Sequence, residues 1–512
     1  MKTCAAKLKS SGPLAAFASR FRQPLLPLFT VNLIILFAAM IVYGGENYSA
    51  DSYGILLYPW GHEDAFLGSY RFFGAFLYWL YSLSGHNSIL NADIDVVLNV
   101  LITAFASTCL TVALYEILNK HSAAKQGIFS MIALDCVVLI TATNCWFCNI
   151  YTFPECIFIT AMGLALCYFS IIAFAWGKGI AHYIVSGILA FCATGVYQQF
   201  ISIFFIYAAA IATVQLREKQ KPGVWQIVRH YLPVVCVTAA SGVLYYTAAV
   251  FACKLFGASP NSRIAMNASS FLENVVYFAT HQHSYLKGWG YFKTEFLTAF
   301  YLLFGLLWLI GTVVDFFRRK EFLRSLFSVL VCAAAYCSAY IPGLVSTSHT
   351  MRTMFAVFSA FALFTVGILA VYKSRAVKAA VAALSAILVV VGVMKGREVE
   401  LRQKTINANS ATYITRVFDA IEDYRDSSGI RIKEVVYAYD KEASMEDTDY
   451  IYIPYCLHFM MRLWGERLGY EGLWPLSADD ATVARYQQED YTEFDPDTQL
   501  IFDGDRLLLV VY

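Results

Sequence analysis

With 512 residues, of which 58% are hydrophobic, 16% aromatic and only 15% charged, and a mean hydropathy of +0.55, the chain is too apolar for a water-soluble multidomain protein; a bilayer must supply much of its solvent. A formal net charge of +1 offers no basic field for nucleic acid and leaves any attraction to anionic lipid to local clusters.

Lys2, Lys7, Lys9, Arg20 and Arg22 precede an apolar run from Pro24 to Tyr43. That run is long enough to span a bilayer, and no small-residue cleavage site follows it, so it reads as a first transmembrane helix and not as a signal peptide. Further apolar runs cover Ile94 to Leu118, Ile128 to Thr143, Phe153 to Trp176, Ile180 to Ala193, Tyr197 to Val214, Tyr231 to Ala252, Phe296 to Val314, Leu323 to Ile341, Met354 to Tyr372 and Val377 to Met394, which predicts about eleven spans. With the N-terminus in the cytoplasm, the basic clusters Lys120 and Lys125, Lys178, Arg217 to Arg229, Arg318 to Arg324 and Lys373 to Lys378 all fall inside, as the excess of Lys and Arg in cytoplasmic loops requires. Phe66 to Leu83 is apolar but carries Arg71, and counting it as a span would invert every later loop. It is read as an amphipathic helix in the outer interface, with Phe72, Phe73, Phe76, Leu77 and Leu80 toward lipid or protein, a re-entrant hairpin being the alternative.

After Met394 the composition turns to Asp, Glu, Tyr and Arg, so residues 1–395 are expected as the membrane domain and 396–512 as a small extracytoplasmic α/β domain. Within the latter, a helix is expected from about Asn407 to Tyr424, and strands over Glu434 to Tyr439 and Leu507 to Tyr512, the last after the turn Asp503-Gly504-Asp505. The 13 cysteines are scattered in apolar segments and suggest no disulfide framework; only Cys145 and Cys148, read as lying in an outer loop, are spaced to pair.

The first outer loop places Asp51 just outside the first span, with His62, Glu63, Asp64 and Arg71 following. Asp51 either solvates a loop or acts as general base toward a sugar hydroxyl, and Arg71 could stabilise a phosphate leaving group. Glu155 follows Pro154 in the first turn of a span and reads first as a helix-start acid. Gly195-Val196-Tyr197-Gln198-Gln199 joins two spans with almost no loop, so its amides either cap a tight turn or face an outer cavity. His349 and Arg352 open a late span, where Arg352 either anchors at the interface or binds lipid phosphate. Asp135 lies inside a span, a functional candidate or a helix-pairing acid. The long loop from Lys254 to Glu295 carries Arg263, His281, His283, Lys287 and Trp289, and the spacings Asp93-x-Asp95, Asp447-x-Asp449, Asp495-x-Asp497 and Asp503-x-Asp505 are weak metal-site signals. No metal and no cofactor is assigned. No P-loop or selectivity-filter sequence is found, which leaves ATP-driven transport and a potassium-type pore without their usual support.

Four features in this order, Ala50-Asp51-Ser52-Tyr53 after the first span, Arg71-Phe72-Phe73-Gly74, Gly195 to Gln199, and Arg352-Thr353-Met354-Phe355, resemble the GtrII-type glucosyltransferases of the polytopic GT-C class. The resemblance implies a bacterial cytoplasmic-membrane enzyme that moves glucose or another hexose from a polyprenyl-phosphate carrier to a surface polysaccharide such as O-antigen, on the outer face. It implies Asp51 as catalytic base, Arg71 and Arg352 for the carrier phosphate, and Tyr197, Gln198, Glu155 and His349 around the substrate; the pathway's flippase and carrier-charging synthase are implied partners. Where members often carry adjacent acids this chain has Ala50-Asp51, so Glu63, Asp64 or Glu155 would supply a second carboxylate. The 34 Tyr, 39 Phe and 9 Trp suit sugar stacking and interface anchoring. The main alternative is a transporter or flippase for lipid-linked sugars, which would depend on Asp135 and not on Asp51; a second is a non-catalytic assembly protein.

Overall fold

In hydrocarbon every backbone amide must be satisfied within its own segment, so long apolar runs have little choice but to become helices. The computed structural model of the chain describes residues 13–45, 48–57, 62–122, 124–176, 179–217, 222–260, 268–288, 293–346, 350–439, 449–470, 473, 475–486 and 494–511. Its first half holds α1 (Pro13–Met40), α2 (Ser52–Leu57), α3 (His62–Gly68), α4 (Phe72–Ser82), α5 (Ala92–His121), α6 (Ile128–Thr143), α7 (Cys145–Tyr151), α8 (Pro154–Trp176), α9 (Ile180–Val196) and α10 (Gln199–Leu216). There follow α11 (Val224–Phe256), α12 (Ala268–Thr280), α13 (Gln282–Lys287), α14 (Phe296–Arg319), α15 (Phe322–Ser338), α16 (Ile341–Leu344), a 3-10 segment Met351–Ser359 leading into α17 (Ala360–Val371), and α18 (Arg375–Ser428).

Every apolar run singled out as a span is helical. Among the described residues eight helical stretches are long and apolar enough to cross a membrane, α6 with α7 forms a further pair bent by 45°, and α9 and α15 are shorter apolar helices. The bend falls at Asn144, whose amide donates to the Ile140 and Thr141 carbonyls at 2.9 Å while its oxygen accepts from Phe147 N at 2.9 Å, closing one helix and opening the next. Buried polar side chains join the helices: Asn32 and Thr111 both donate to Asp135 Oδ1, at 3.1 and 3.0 Å, tying α1, α5 and α6 together. Asp135 is thus engaged in helix pairing. At one end of the bundle Arg217, Arg319 and Arg324 surround Asp315, tying the end of α10 to α14 and α15.

Three expectations are corrected. Phe66 to Leu83 is not one helix: α3 and α4 are separated by a turn in which Tyr70 takes φ = 60°, a left-handed conformation uncommon for a side-chain-bearing residue. The segment expected as an outer loop at Cys145 is the helix α7, every residue of which is buried. Cys145 and Cys148 are free thiols, both buried in α7. The loop from Lys254 to Glu295 also contains two helices, α12 and α13.

The helix expected over Asn407 to Tyr424 is the distal part of α18, whose 54 residues run for about 80 Å, far beyond a hydrocarbon core of about 30 Å. Its far end carries β1 (Glu434–Tyr439), α19 (Pro454–Arg467), β2 (Pro475–Ser477), α20 (Asp480–Tyr486), α21 (Pro496–Gln499), β3 (Leu500–Asp503) and β4 (Arg506–Val511). The sheet has order β2-β1-β4-β3; β1 runs parallel to β2 and β4, and β3 antiparallel to β4. This part has its own hydrophobic cluster, built from Ile414, Phe418, Ile421, Met460, Leu507 and their neighbours, and Tyr53 from the first loop belongs to it. Tyr53 is 1% exposed, donates to Asn407 Oδ1 at 2.9 Å, and meets the rings of Tyr48, Tyr450 and Trp464.

Replacing this ring leaves a cavity and takes a donor from Asn407 Oδ1. Tyr53→Ala is expected to lower stability by about 3–5 kcal/mol and Tyr53→Phe by about 1 kcal/mol, read from unfolding midpoints in detergent.

Candidate functional site

The site assembles where α2, the start of α4, the starts of α8 and α10, the 3-10 segment and α19 meet. Ser49 and Ser52 form a turn in which the Ser49 and Ser52 amides bond the Ser52 and Ser49 hydroxyls at 3.0 and 3.2 Å; it starts α2 and leaves Asp51 exposed beside it. The loop before it is clamped from α18: Gln403 and Asn407 amides donate to Tyr48 O at 2.7 and 2.9 Å, and the Lys404 ammonium to Gly44 O at 3.1 Å.

Glu155 does occupy the first turn of α8, but it is 3% exposed. Ser52 hydrogen-bonds its carboxylate, and Asp51 and Arg71 act on it electrostatically; its Oε2 has no hydrogen-bond partner among the described residues. A buried carboxylate oxygen left unpaired beside a cation is costly unless something else meets it. Arg71 sits at the N-cap of α4, and its guanidinium lies 4.3 Å from the Tyr197 ring centroid, a cation–π contact. Its buried Nε also lacks a partner among the described residues. Arg352 stacks on Phe153 at 5.0 Å, and the Tyr197 hydroxyl donates to Arg352 O at 3.3 Å. Asp51, Glu155, Arg71 and Arg352 all act electrostatically on the Cys156 thiol, so two acids and two cations lie within electrostatic range of it.

Gln198 donates to Ser69 O at 2.8 Å, bracing the turn that presents Arg71. Gln199 does not face a cavity; it is buried, donating to Ala339 O at 2.7 Å and accepting from Ala356 N at 3.3 Å, and so fastens α10 to the segment that carries Arg352. His349 lies outside the described residues, as do the side chains of Glu63 and Asp64. Asp93 and Asp95 are engaged, Asp93 accepting from Gly45 N at 2.7 Å and Asp95 from Tyr81 at 2.8 Å. Among the described residues no group of three or more His, Cys, Asp or Glu converges in a metal-binding arrangement.

The family model described as Glucosyl transferase GtrII matches residues 45–393. No curated protein and no solved structure matches the chain.

The site also draws on residues beyond the matched region. Tyr455, near the start of α19, donates to Asp51 Oδ1 at 3.5 Å; burial, with the Cys456 thiol and Asp51 adding to it, raises its pKa above the usual phenol value, so it remains a donor. Nothing in the sequence flagged it: a tyrosine in a tyrosine-rich segment carries no signal until α19 packs on α2. That packing is close. A Cβ on Gly54 would come within 3.0 Å of the Phe459 ring.

Gly195, at the end of α9, likewise has no room, since a Cβ there would meet Phe72 Cζ at 2.8 Å and Phe73 Cβ at 2.9 Å. Gly195→Ala is expected to cost about 1–3 kcal/mol by pushing on the start of α4. Gly242→Ala on α11, with nothing within 4 Å, is expected to be neutral or mildly stabilising; thermal midpoints of the two variants check the contrast.

Proposed function

Because the chain belongs to the GtrII glucosyl transferase family, we propose that it moves glucose, or another hexose, from a polyprenyl-phosphate carrier to a cell-surface glycan such as O-antigen. In this reading it works on the outer face of a bacterial cytoplasmic membrane, with the N-terminus inside and the sheet-bearing C-terminal part outside. The observation that carries the reading is that Tyr197 contacts both Arg71 and Arg352, with Asp51 and the buried Glu155 in electrostatic range of the same region.

Asp51 takes the proton of an acceptor hydroxyl as that oxygen bonds to the anomeric carbon. The bond from that carbon to the phosphate oxygen breaks, and the carrier phosphate leaves as an anion against Arg71 and Arg352. Tyr455 orients Asp51, Glu155 supplies the second carboxylate, and Tyr197 and Gln198 hold the arginine-bearing turn and a wall of the sugar pocket. A lipid-linked donor brings its own activated leaving group, so the proposed chemistry calls on no nucleotide and no cofactor. Flippase and carrier-charging synthase are the proposed pathway partners.

The test is transfer from radiolabelled polyprenyl-phosphate glucose to the host's surface glycan by purified protein in nanodiscs. Asp51→Asn is expected to lose about 10²–10⁴ in kcat with carrier binding retained, and Arg71→Ala about a hundredfold or more in kcat/KM. Undiminished turnover in Asp51→Asn would move the base elsewhere. Asp135→Asn, which alters only the contact among α1, α5 and α6, is expected to leave transfer unchanged; abolished activity there with normal folding would favour a transporter.

A further inference from the structure

A second polar site lies at the end of the bundle opposite Arg71. Phe72, the neighbour of Arg71, packs on Tyr245 near the far end of α11, and Arg229 near its start is about 24 Å away along the helix. There a cavity of about 210 Å³ is lined by Tyr183 of α9, Gln215 of α10, and Arg229 and His230 of α11, with Phe174 of α8 and Pro233 as apolar walls. Four helices thus meet at one pocket.

The lining is held from several sides. His230 Nε2 lies 2.8 Å from Ala212 O, and since a carbonyl only accepts, that nitrogen carries the proton. Gln215 reaches Ala175 O on α8 at 3.5 Å, and the Tyr183 ring packs on Phe174 at 5.5 Å. The Arg229 guanidinium and the Tyr183 hydroxyl, by contrast, have no hydrogen-bond or ion-pair partner among the described residues. No carboxylate lines the cavity. An unpaired guanidinium beside neutral donors selects an anion, and a phosphate oxygen suits its geometry.

The surroundings say how that anion arrives. The cavity holds about seven waters' worth of space at ~30 Å³ each, room for a headgroup and not for a whole lipid. Nearby on α9 and α11, Ile180 is 78% and Trp225 73% exposed, as apolar and aromatic side chains are at the edge of a hydrocarbon region. Arg217, Arg319 and Arg324, gathered at the same end of the bundle, outnumber their partners Asp315 and Glu321, and such an excess of positive charge draws anionic lipid.

We propose that this pocket binds the phosphate ester of an anionic phospholipid in the leaflet opposite the transfer site, the cytoplasmic one in the orientation proposed above. The phosphate rests against Arg229 and the Tyr183 hydroxyl. A bound headgroup bridges α9, α10 and α11, the helices whose other ends brace Arg71.

The test is lipid binding by the full chain, purified in a detergent without phosphate and titrated with phosphatidylglycerol, phosphatidylcholine or inorganic phosphate. Bound lipid is counted by native mass spectrometry and thermal midpoints are read alongside. Phosphatidylglycerol is expected to stay bound and raise the midpoint, with phosphatidylcholine binding more weakly. Arg229→Gln is expected to weaken phosphatidylglycerol binding about tenfold, and Tyr183→Phe to weaken it less. Arg318→Ala, which removes an exposed arginine at the same end that does not line the cavity, is expected to change nothing. Arg229 is exposed and unpaired, so lipid-free Arg229→Gln is expected to melt with the wild type. Equal binding by Arg229→Gln and wild type, or equal affinity for the two phospholipids, would overturn the proposal. Stabilisation by inorganic phosphate that matches phosphatidylglycerol would make the ligand a free phosphate and overturn the lipid assignment. Neither readout requires sugar transfer, so the pocket stands or falls apart from the transferase reading.

Discussion

The insertion of Tyr53 into the core of the C-terminal part is the contact on which the rest of the site depends. A loop leaving a bundle of apolar helices has no intrinsic reason to hold one conformation, and ordering it costs roughly 1–2 kcal/mol per residue. Here the cost is offset by burying the Tyr53 ring and by satisfying loop carbonyls from Gln403, Lys404 and Asn407. Those partners stand on α18, a helix continuous from the bundle into the sheet-bearing part. The loop that presents Asp51 is thereby referenced to both halves of the chain at once.

The same logic extends to the cations. Arg71 is presented by a turn with an uncommon backbone conformation, and such a conformation persists only where its surroundings over-determine it. Gln198 bonds the turn from one side, Phe72 packs against α9 and α11 from another, and the absence of a side chain at Gly195 permits the approach. Gln199 performs a parallel service for Arg352 through both ends of its amide. The Gly195 to Gln199 segment is thus a brace between the two arginines.

Polar side chains inside the bundle divide by role on geometry. Asp135 has its partners on α1 and α5, so its place inside a span is accounted for by helix association. Glu155 is equally buried, yet one of its oxygens is unpaired and it faces Asp51 and Arg71.

Much of the architecture was legible from residue order alone. Apolar runs long enough to span a bilayer must be helices, and the strands Glu434–Tyr439 and Arg506–Val511 follow from dense β-forming residues and the Asp503-Gly504-Asp505 turn. Asp51, Arg71, Gln198 and Arg352 could be singled out because charge and amides are conspicuous in so apolar a chain. The break between α3 and α4, the burial of α7 and the place of Tyr455 were not legible. Each depends on what packs against a segment, and the aromatic stretch between Asn144 and Pro154 reads alike as an interfacial loop or a buried helix. The sequence by itself determined which segments must be helices and which few polar residues could matter. Only the tertiary structure decided that Asp51 and Tyr455 meet, because contacts between residues so far apart in the chain arise from packing geometry, which no local pattern encodes.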